Sequence, residues 1–318
     1  MLEVVNLRRE FRVGRGWFTH QALVAVNDVS FQVAQGTTVA IVGESGSGKS
    51  TIGRCLVRLL EPTAGQIRLD GVALTQLSTS AFRPYQRKLQ MVFQDPGESL
   101  NPRLTIGETL SEPLRHWQQL RGPAVRHGVQ ELLAQVQLDS SRVHAYPHQL
   151  SGGQQQRIGI ALALAAQPAL IVLDEPTSAL DVSVQAQILN LLVDLQQQTG
   201  VAYLLISHDL ATVRYLAQEV IVLYLGQVME RGPVATLFTQ PQHPYTRALL
   251  NTAPRLSAKT RDANLMLKGE TSNLRDVGAG CPLAPRCPLA QTACFTRRQT
   301  LVEVTSGHAV ACQVVTGS

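Results

Sequence analysis

The spacing of apolar residues predicts strands near the start of the chain. Short β-branched runs bounded by turn residues predict strands at 24–26 and 29–33. The run 38–42 is almost wholly apolar, as expected of a buried strand. A helix is predicted from 49 to about 60, followed by a turn and a strand over 65–71.

From about 106 to 166 the apolar residues recur at helical spacing, which predicts an all-helical insert. The residues that show this spacing most clearly are Val129, Leu132, Leu133, Val136 and Leu138. Farther on, strands and helices alternate, which predicts a mostly parallel sheet covered by helices. The predicted elements are strands at 170–173, 202–206 and 220–225 and helices near 184–197 and 210–217. The segment from about 246 onward is predicted to be rich in loops.

The composition fits one large α/β domain with an extension, since the 318 residues are 44% hydrophobic and 16% charged. No apolar run of roughly 18 residues could span a membrane, and the first residues lack the layout of a signal peptide, so we expect a cytosolic protein. The net charge is +5, but the 28 Lys and Arg are scattered. We therefore expect no nucleic-acid partner and only a mild attraction to an anionic membrane surface.

The segment Gly43–Thr51, called the phosphate loop below, fits the pattern G-x-x-x-x-G-K-[ST] between a predicted strand and a predicted helix. Backbone N–H groups and the positive end of the helix would hold phosphate oxygens there. Lys49 is expected to reach the β- and γ-phosphates, Ser50 to bind Mg²⁺, and Thr51 to help hold the α-phosphate. The predicted nucleotide-binding residues of the loop are Gly43, Glu44, Ser45, Gly46, Ser47, Gly48, Lys49, Ser50 and Thr51.

Two carboxylates follow the strand predicted at 170–173. Asp174 is predicted to orient Mg²⁺ through water, and Glu175 to act as the general base on the attacking water. Adjacent residues at a strand end point to opposite sides, so one carboxylate can serve the metal and the other the water. The alternative is a solvated acidic turn, which the phosphate loop upstream disfavours.

The segment Leu150–Gln154, called the Ser-Gly-Gly segment below, is a glycine-rich turn that is predicted to open a helix. Ser151 and the N–H groups of Gly152 and Gly153, with Gln154 beside them, would form an anion site at the helix start. In order and spacing, the phosphate loop, this segment and the carboxylate strand together resemble the nucleotide-binding subunit of an ABC transporter.

This resemblance implies an α/β fold: a P-loop NTPase cassette with a RecA-like core, an antiparallel β subdomain and a helical subdomain. The cassette would comprise residues 1–245, with the helical subdomain at about 100–166, and a small extension with four cysteines would comprise 246–318. The ligands would be ATP and Mg²⁺. Hydrolysis would need a dimer, because the Ser-Gly-Gly segment of one subunit meets the γ-phosphate that the other subunit holds.

The resemblance also assigns three polar residues to the site. Gln94, after an apolar strand, resembles the glutamine that touches Mg²⁺ and the attacking water. His208 resembles the switch histidine at the γ-phosphate, and Asp181 the residue that links the two sites across the dimer. Without the resemblance, Gln94 would be interpreted as a turn residue and His208 as structural.

Adenine is expected to stack on an aromatic ring early in the chain, because stacking needs only a flat π-face. Phe11 is the predicted ring, with Trp17 and Phe18 as alternatives. The other interpretation of Phe11 is a core residue.

Within the family, the chain is similar to the oligopeptide/dipeptide importer branch and most resembles the second ATPase subunit of such importers. The stretches that carry this similarity are 93–103, 146–148, 243–250 and the four-cysteine tail. The resemblance implies a second ATPase subunit or a second copy, two permeases, indirectly a solute-binding protein, and a peripheral position on the cytoplasmic face of the inner membrane. Importers of nickel, opine-type metallophores, glutathione and D-amino-acid dipeptides belong to the same branch, so the cargo stays open.

Leu162 departs from the family pattern, because relatives commonly carry arginine at this position of the helix after the Ser-Gly-Gly segment. The change removes a charge and weakens an ion pair. We expect hydrolysis to be retained, since every residue assigned to the chemistry is present.

The five cysteines are unevenly distributed. Cys55 is predicted to be a small buried hydrophobe. The other four are separated by five, six and seventeen residues, unlike the paired C-x-x-C of a zinc ribbon. Soft thiolates suit a [4Fe–4S] cluster or zinc, and plain reduced thiols are the third candidate. These four are Cys281, Cys287, Cys294 and Cys312.

Two other classes of function are weighed against transport. A soluble ABC ATPase that acts on ribosomes or DNA would be favoured by tandem cassettes, long coiled coils or basic arms, and the sequence has none of these. A scaffold that uses the cassette as an ATP-gated clamp is disfavoured by the intact Glu175 and His208.

Overall fold

The computed structural model describes residues 1–14, 20–252, 267–269 and 278–317. The strands of these residues are β1 Leu2–Gly14, β2 His20–Val33, β3 Thr38–Val42, β4 Ala64–Leu69, β5 Val72–Ala73, β6 Leu89–Val92, β7 Leu170–Asp174, β8 Ala202–Ile206, β9 Glu219–Tyr224, β10 Gln227–Pro233, β11 Val302–Thr305 and β12 His308–Val310. The helices are α1 Lys49–Leu56, α2 Thr79–Gln86, α3 Pro96–Ser99, α4 Ile106–Trp117, α5 Pro123–Gln135, α6 Gly152–Leu164, α7 Val182–Thr199, α8 Leu210–Leu216, α9 Val234–Thr239, α10 Pro244–Thr252, α11 Thr292–Thr296 and α12 Gln313–Thr316. None of the helices in this part of the chain combines the length and the apolar composition needed to cross a bilayer.

The chain forms two compact units. The first consists of Met1–Gln32, Thr38–Thr75 and Ile206–Ser318, and the second of Val33–Thr37 and Gln76–Leu205. Since each unit draws on distant stretches of sequence, contacts between those stretches and not chain order hold each unit together.

The first unit contains an antiparallel subdomain with the strand order β2-β1-β4-β5. In it Val4 lies opposite Ile67, and both side chains are buried. The same unit contains the strand order β11-β12-β10-β9-β3, in which only the β3–β9 pair is parallel. All five residues of β3 are buried, as its apolar sequence predicts, so the strand that leads into the phosphate loop is anchored in the core.

The second unit combines the strand order β8-β7-β6 with the helices α2 to α7. The β6–β7 pair is parallel and places Val92 beside Leu173. Helix α4 begins with a capping box, in which the Thr105 and Glu108 side chains satisfy each other's backbone N–H groups. Ile106, on this helix, is completely buried, as is Leu133 of α5. The all-helical character predicted for this stretch is therefore confirmed.

Three local predictions differ from the structure. Helix α1 ends at Leu56, because Arg58 adopts a left-handed conformation (φ 57°) and the chain turns back onto the Arg54 carbonyl. The two strands predicted near 24–33 are one strand, bent at Asp28 (φ 63°). The loop-rich tail contains the β11–β12 hairpin, which pairs with β10 and makes this sheet less parallel than predicted.

Candidate nucleotide site

The phosphate loop lies between β3 and α1 in the first unit, where the sequence places it. A Cβ on Gly43 would overlap the Leu223 carbonyl oxygen, and one on Gly48 would overlap the Ala25 carbonyl oxygen. The Ser47 carbonyl accepts a hydrogen bond from the Gly226 N–H at 2.8 Å. The loop is thus pressed against neighbouring backbone on two sides, which only glycine allows at these positions.

The Lys49 side chain is folded back over the loop. Its ammonium group donates to the Gly43 carbonyl at 2.9 Å and the Glu44 carbonyl at 2.8 Å, and lies 3.4 Å from Ser47 Oγ. Lys49 is only 6% exposed, whereas Ser45 and Gly46 at the tip of the loop are exposed. The cation is therefore held at the centre of the loop, where phosphate oxygens would meet it.

Two side chains that the sequence does not group with the loop bind Glu44, and a third, Tyr224, binds one of these two. The Glu44 N–H donates to Tyr245 Oη at 2.8 Å. The Glu44 carboxylate accepts from Arg286 Nη1 at 2.9 Å, and the same nitrogen lies 3.1 Å from Tyr224 Oη. Tyr245 belongs to one of the stretches that are similar to the importer branch, whereas Arg286 and Tyr224 carry no local pattern that marks them.

His208 follows β8 and is exposed. The N–H of the preceding Ser207 donates to the Ile41 carbonyl of β3 at 3.2 Å, and the following Asp209 caps α8 through its carboxylate. The structure therefore places His208 next to the residue that pairs with β3, the strand that precedes the phosphate loop.

Phe11 is half-buried in β1, so it is not a core residue. The Arg9 guanidinium lies 4.7 Å from the centre of its ring. One face of Phe11 is thus already in contact with a cation. The alternatives Trp17 and Phe18 lie outside the described residues.

In the second unit, Asp174 is the last residue of β7 and is 4% exposed. Glu175, half-buried, adopts a left-handed conformation (φ 49°), and its carbonyl accepts hydrogen bonds from the N–H and Oγ of Ser178. A non-glycine residue with positive φ is held there by its surroundings and is common at functional sites. A turn closed by Ser178 therefore follows directly on the buried Asp174.

Gln94 reaches the same edge of the sheet as the carboxylates. Because β6 and β7 are parallel, with Val92 beside Leu173, the two strands end at the same edge of the sheet. Gln94 lies two residues beyond Val92 and is exposed, and Asp174 lies one residue beyond Leu173. The structure thus brings the predicted metal-orienting residues of this unit to one edge.

The Ser-Gly-Gly segment begins α6 with a reciprocal capping box. The Gln154 N–H donates to Ser151 Oγ at 3.4 Å, and the Ser151 N–H donates to Gln154 Oε1 at 3.1 Å. The N–H groups of Gly152 and Gly153 lie in the first turn, where a helix offers no backbone acceptor. The anion site at the start of this helix stays a prediction, with these two N–H groups as its donors.

Asp181 lies at the start of α7 and is exposed. The turn before it is fixed by Gln185, whose amide donates to the Thr177 and Leu180 carbonyls at 3.0 and 2.9 Å. Leu180 in turn lies beside Gly152, where an added Cβ would meet its Cδ2 at 3.4 Å. The turn that presents Asp181 therefore packs against the start of α6.

Four cysteines line one small cavity of about 20 Å³ in the first unit, together with His243, Gln299 and apolar side chains. Burial, together with the smaller effect of the neighbouring Cys312, Cys287 and Cys294, raises the pKa of the Cys281 thiol to about 11. Burial also raises the pKa of Cys287 and Cys312. Among the described residues, no three His, Cys, Asp or Glu side chains stand in an arrangement that could hold a metal ion. The thiols are grouped, as the sequence suggests, but do not form a closed ligand set.

The remaining cysteine, Cys55, is 1% exposed, and burial raises its pKa to about 11. The prediction of a small buried hydrophobe is confirmed.

Comparison with known proteins adds to this geometry. The ABC transporter family model matches residues 26–178, and that of the oligopeptide/dipeptide transporter C-terminal region matches 229–294. The di/tripeptide transport ATP-binding protein DppF of Pseudomonas aeruginosa is 46% identical over 92% of this chain and 91% of its own length. The dipeptide transport ATP-binding protein DppF of Haemophilus influenzae is 42% identical over 98% and 96%.

The chain belongs to the family of ABC transporter ATP-binding proteins. Solved structures agree: the ATP-binding cassette MJ0796, dimeric and bound to ADP and phosphate after hydrolysis, is 31% identical, with a TM-score of 0.67 over 74% of this chain and 99% of that chain. Another, cbiO1 from Clostridium perfringens, part of the ABC transporter complex cbiONQ, is 26% identical, with a TM-score of 0.66 over 75% and 90%. This family member is therefore an ATPase with the cassette fold that the sequence predicts.

Proposed function

We propose that this ATPase powers the import of peptides. The observation that carries the proposal is the match of residues 229–294 to the C-terminal region of oligopeptide/dipeptide transporters, in a chain whose relatives are named for peptide transport. The cargo class is the di- and oligopeptides. Nickel, metallophore and glutathione importers are the alternatives, because an ATPase subunit does not itself contact the cargo.

The proposed assembly contains a second ATPase, either a related subunit or a second copy, and two permeases, with a solute-binding protein that delivers cargo from outside. The chain would lie on the cytoplasmic face of the inner membrane. Residues 1–245 would form the cassette, and 246–318 the importer-specific extension.

Purification of the tagged protein from its native membranes in mild detergent, followed by mass spectrometry, tests this assembly. We expect two permeases and an ATPase to copurify, and uptake of labelled dipeptides to depend on the chain. Ribosomal or DNA-repair proteins without permeases would contradict the transport proposal and leave the cassette assignment intact.

Within the site, we propose that Glu175 is the general base and that His208 contacts the γ-phosphate. Ser50, Gln94 and Asp174 would hold Mg²⁺, and Phe11 would stack on adenine. Supporting this are the buried Asp174 at the strand end, the strained turn at Glu175 and the shared edge that Gln94 reaches.

Substitution of the proposed base tests this assignment. Glu175→Gln should retain ATP binding but lower the hydrolysis rate by roughly 10²–10⁴-fold, because the attacking water loses its proton acceptor. The exposed Glu112→Gln on α4 is the matched control and should hydrolyse ATP normally. A near-normal rate for Glu175→Gln would remove Glu175 from the role of base.

For the cysteine cavity, we propose a [4Fe–4S] cluster as the resident group, with zinc and reduced thiols as alternatives. Four soft donors around one cavity suit such a group, which would supply cross-links within the tail. The side chains would have to close around it, since they do not form a ligand set as they stand. Protein purified without oxygen should absorb near 400 nm and contain iron; the lack of both would exclude the cluster.

A further inference from the structure

We propose that Arg286, which lies in the four-cysteine tail, is a positioning residue of the ATP site. In this proposal Arg286 neutralises and orients Glu44 of the phosphate loop and so keeps the loop ready to receive phosphate. The inference rests on the assignment of that loop as the ATP-binding loop. It gives the tail a direct effect on nucleotide affinity.

The contact between the tail and the loop is close and protected from water. Arg286 Nη1 lies 2.9 Å from one Glu44 carboxylate oxygen and 3.1 Å from the other. The Arg286 side chain is 10% exposed and the Glu44 side chain 25%. Ion pairs with so little solvent around them are screened far less than surface pairs.

Arg286 is itself fixed by aromatic neighbours. Its Nη1 bonds to Tyr224 Oη at 3.1 Å, and its guanidinium carbon lies 5.8 Å from the centre of the Tyr224 ring. The Tyr224 and Tyr245 rings are in contact, with centroids 4.7 Å apart. Burial lowers the pKa of Arg286, but its hydrogen bonds to Tyr224 and Glu44 outweigh burial and raise it above its usual value.

Glu44 is held at three points, which makes it the link between tail and loop. Its N–H bonds to Tyr245, its carbonyl accepts from the Lys49 ammonium, and its carboxylate accepts from Arg286. A shift of the Glu44 side chain would therefore move the backbone carbonyl that positions Lys49. This geometry connects Arg286 to the cation that is expected to meet the β- and γ-phosphates.

Charge gives a second reason for the pair. A carboxylate within a phosphate loop repels the anionic phosphates that the loop must bind. Arg286 offsets that charge from the side of the protein interior. Without Arg286, the Glu44 charge would stay in place and act against ATP.

The backbone that carries Arg286 is a tight turn in the tail. The Arg286 N–H donates to the Leu283 carbonyl at 2.9 Å, and the Cys281 N–H donates to the Cys294 carbonyl at 2.7 Å. Arg286 directly precedes Cys287, which lines the cysteine cavity. The position of the guanidinium is thus set by the same turns that group the thiols.

The test measures the Kd of Mg²⁺-ATP and, separately, kcat at saturating ATP, on full-length protein. Arg286→Ala should raise the Kd roughly tenfold, with kcat nearly unchanged. Arg286→Lys should recover part of the affinity, since it keeps the charge but loses the planar fork. The matched control is Arg298→Ala, because Arg298 belongs to the same tail and forms an exposed ion pair with Asp28 at 3.2 Å.

The double variant separates charge from structure. In Glu44→Gln/Arg286→Ala, the unpaired carboxylate is gone, so the Kd should return to that of Glu44→Gln alone. If Arg286→Ala does not fold, Arg286→Gln and Glu44→Gln/Arg286→Gln replace it under the same criteria. Wild-type affinity in the single variant, or no recovery in the double variant, would overturn the inference. Failure of the wild type itself to bind ATP, or unaltered binding in Lys49→Ala, would instead contradict the assignment of the loop.

Discussion

A methyl group on Gly153 tests how tightly the start of α6 packs. A Cβ at this position would overlap the Cγ1 methyl of Val184 on α7, whereas the Val184 Cβ lies at 3.8 Å. The neighbouring Gly152 is a natural comparison, because its added Cβ would meet only Leu180 Cδ2, at an ordinary 3.4 Å. Gly153→Ala should therefore force the two helices apart, and Gly152→Ala should not.

The expected magnitude follows from two opposing effects. Overpacking of this kind costs about 1–3 kcal/mol, and the β-branched Val184 has few rotamers to escape into. Replacement of glycine by alanine within a helix stabilises the helix by about 1 kcal/mol. We expect the free energy of unfolding to fall by about 1 kcal/mol in Gly153→Ala and not to fall in Gly152→Ala.

Urea unfolding of four proteins measures this cost: the wild type, Gly153→Ala, Val184→Ala and the double variant. In the Val184→Ala background the methyl clash is absent, so Gly153→Ala should cost nothing there. Because α6 carries the N–H groups proposed to meet phosphate, Gly153→Ala should also slow ATP hydrolysis roughly tenfold, and the double variant should regain most of that rate. Equal costs in the two backgrounds would refute the packing argument.

Two further predictions concern the first unit. Gly43→Ala should abolish ATP binding, because its Cβ would overlap the Leu223 carbonyl. Gly46→Ala should still bind ATP, because no atom lies within 4 Å of the added Cβ and the positive φ costs only about 1 kcal/mol of strain. Equal ATP affinities of the two variants in nucleotide titrations would contradict this prediction. His243 accepts the Tyr245 N–H through Nδ1, and burial lowers its pKa from 6.5 to about 3. Below pH 6.5 the unfolded chain binds a proton at this histidine that the folded protein does not bind. The free energy of unfolding therefore falls by about 1.4 kcal/mol per pH unit as the pH drops from 6.5 toward 3. When the pH is lowered between two values within this range, the urea midpoint of unfolding should fall less for His243→Asn than for the wild type. An equal fall in both proteins would contradict this prediction.

The parts of the site that could be predicted from the sequence are made of neighbouring residues. The phosphate loop would bind phosphate through consecutive backbone N–H groups, so a single short stretch of sequence is enough to recognise it. The capping box of Ser151 and Gln154 is equally local. The end of α1 at Leu56 is not predictable from the sequence, because an arginine and not a glycine adopts the left-handed conformation at position 58.

How distant stretches of the chain meet depends on the tertiary fold. Arg286 and Glu44 are 242 positions apart, and neither belongs to a pattern that predicts the other. The tail cysteines were visible as a group in the sequence, but whether their side chains close around a metal depends on turns that spacing does not define. The family, the cassette fold and the positions of the nucleotide motifs can be inferred from sequence alone, because backbone periodicity and short-range hydrogen bonding depend on adjacent residues. The support beneath the phosphate loop depended on the fold, since burial and pairing of charges follow from long-range packing.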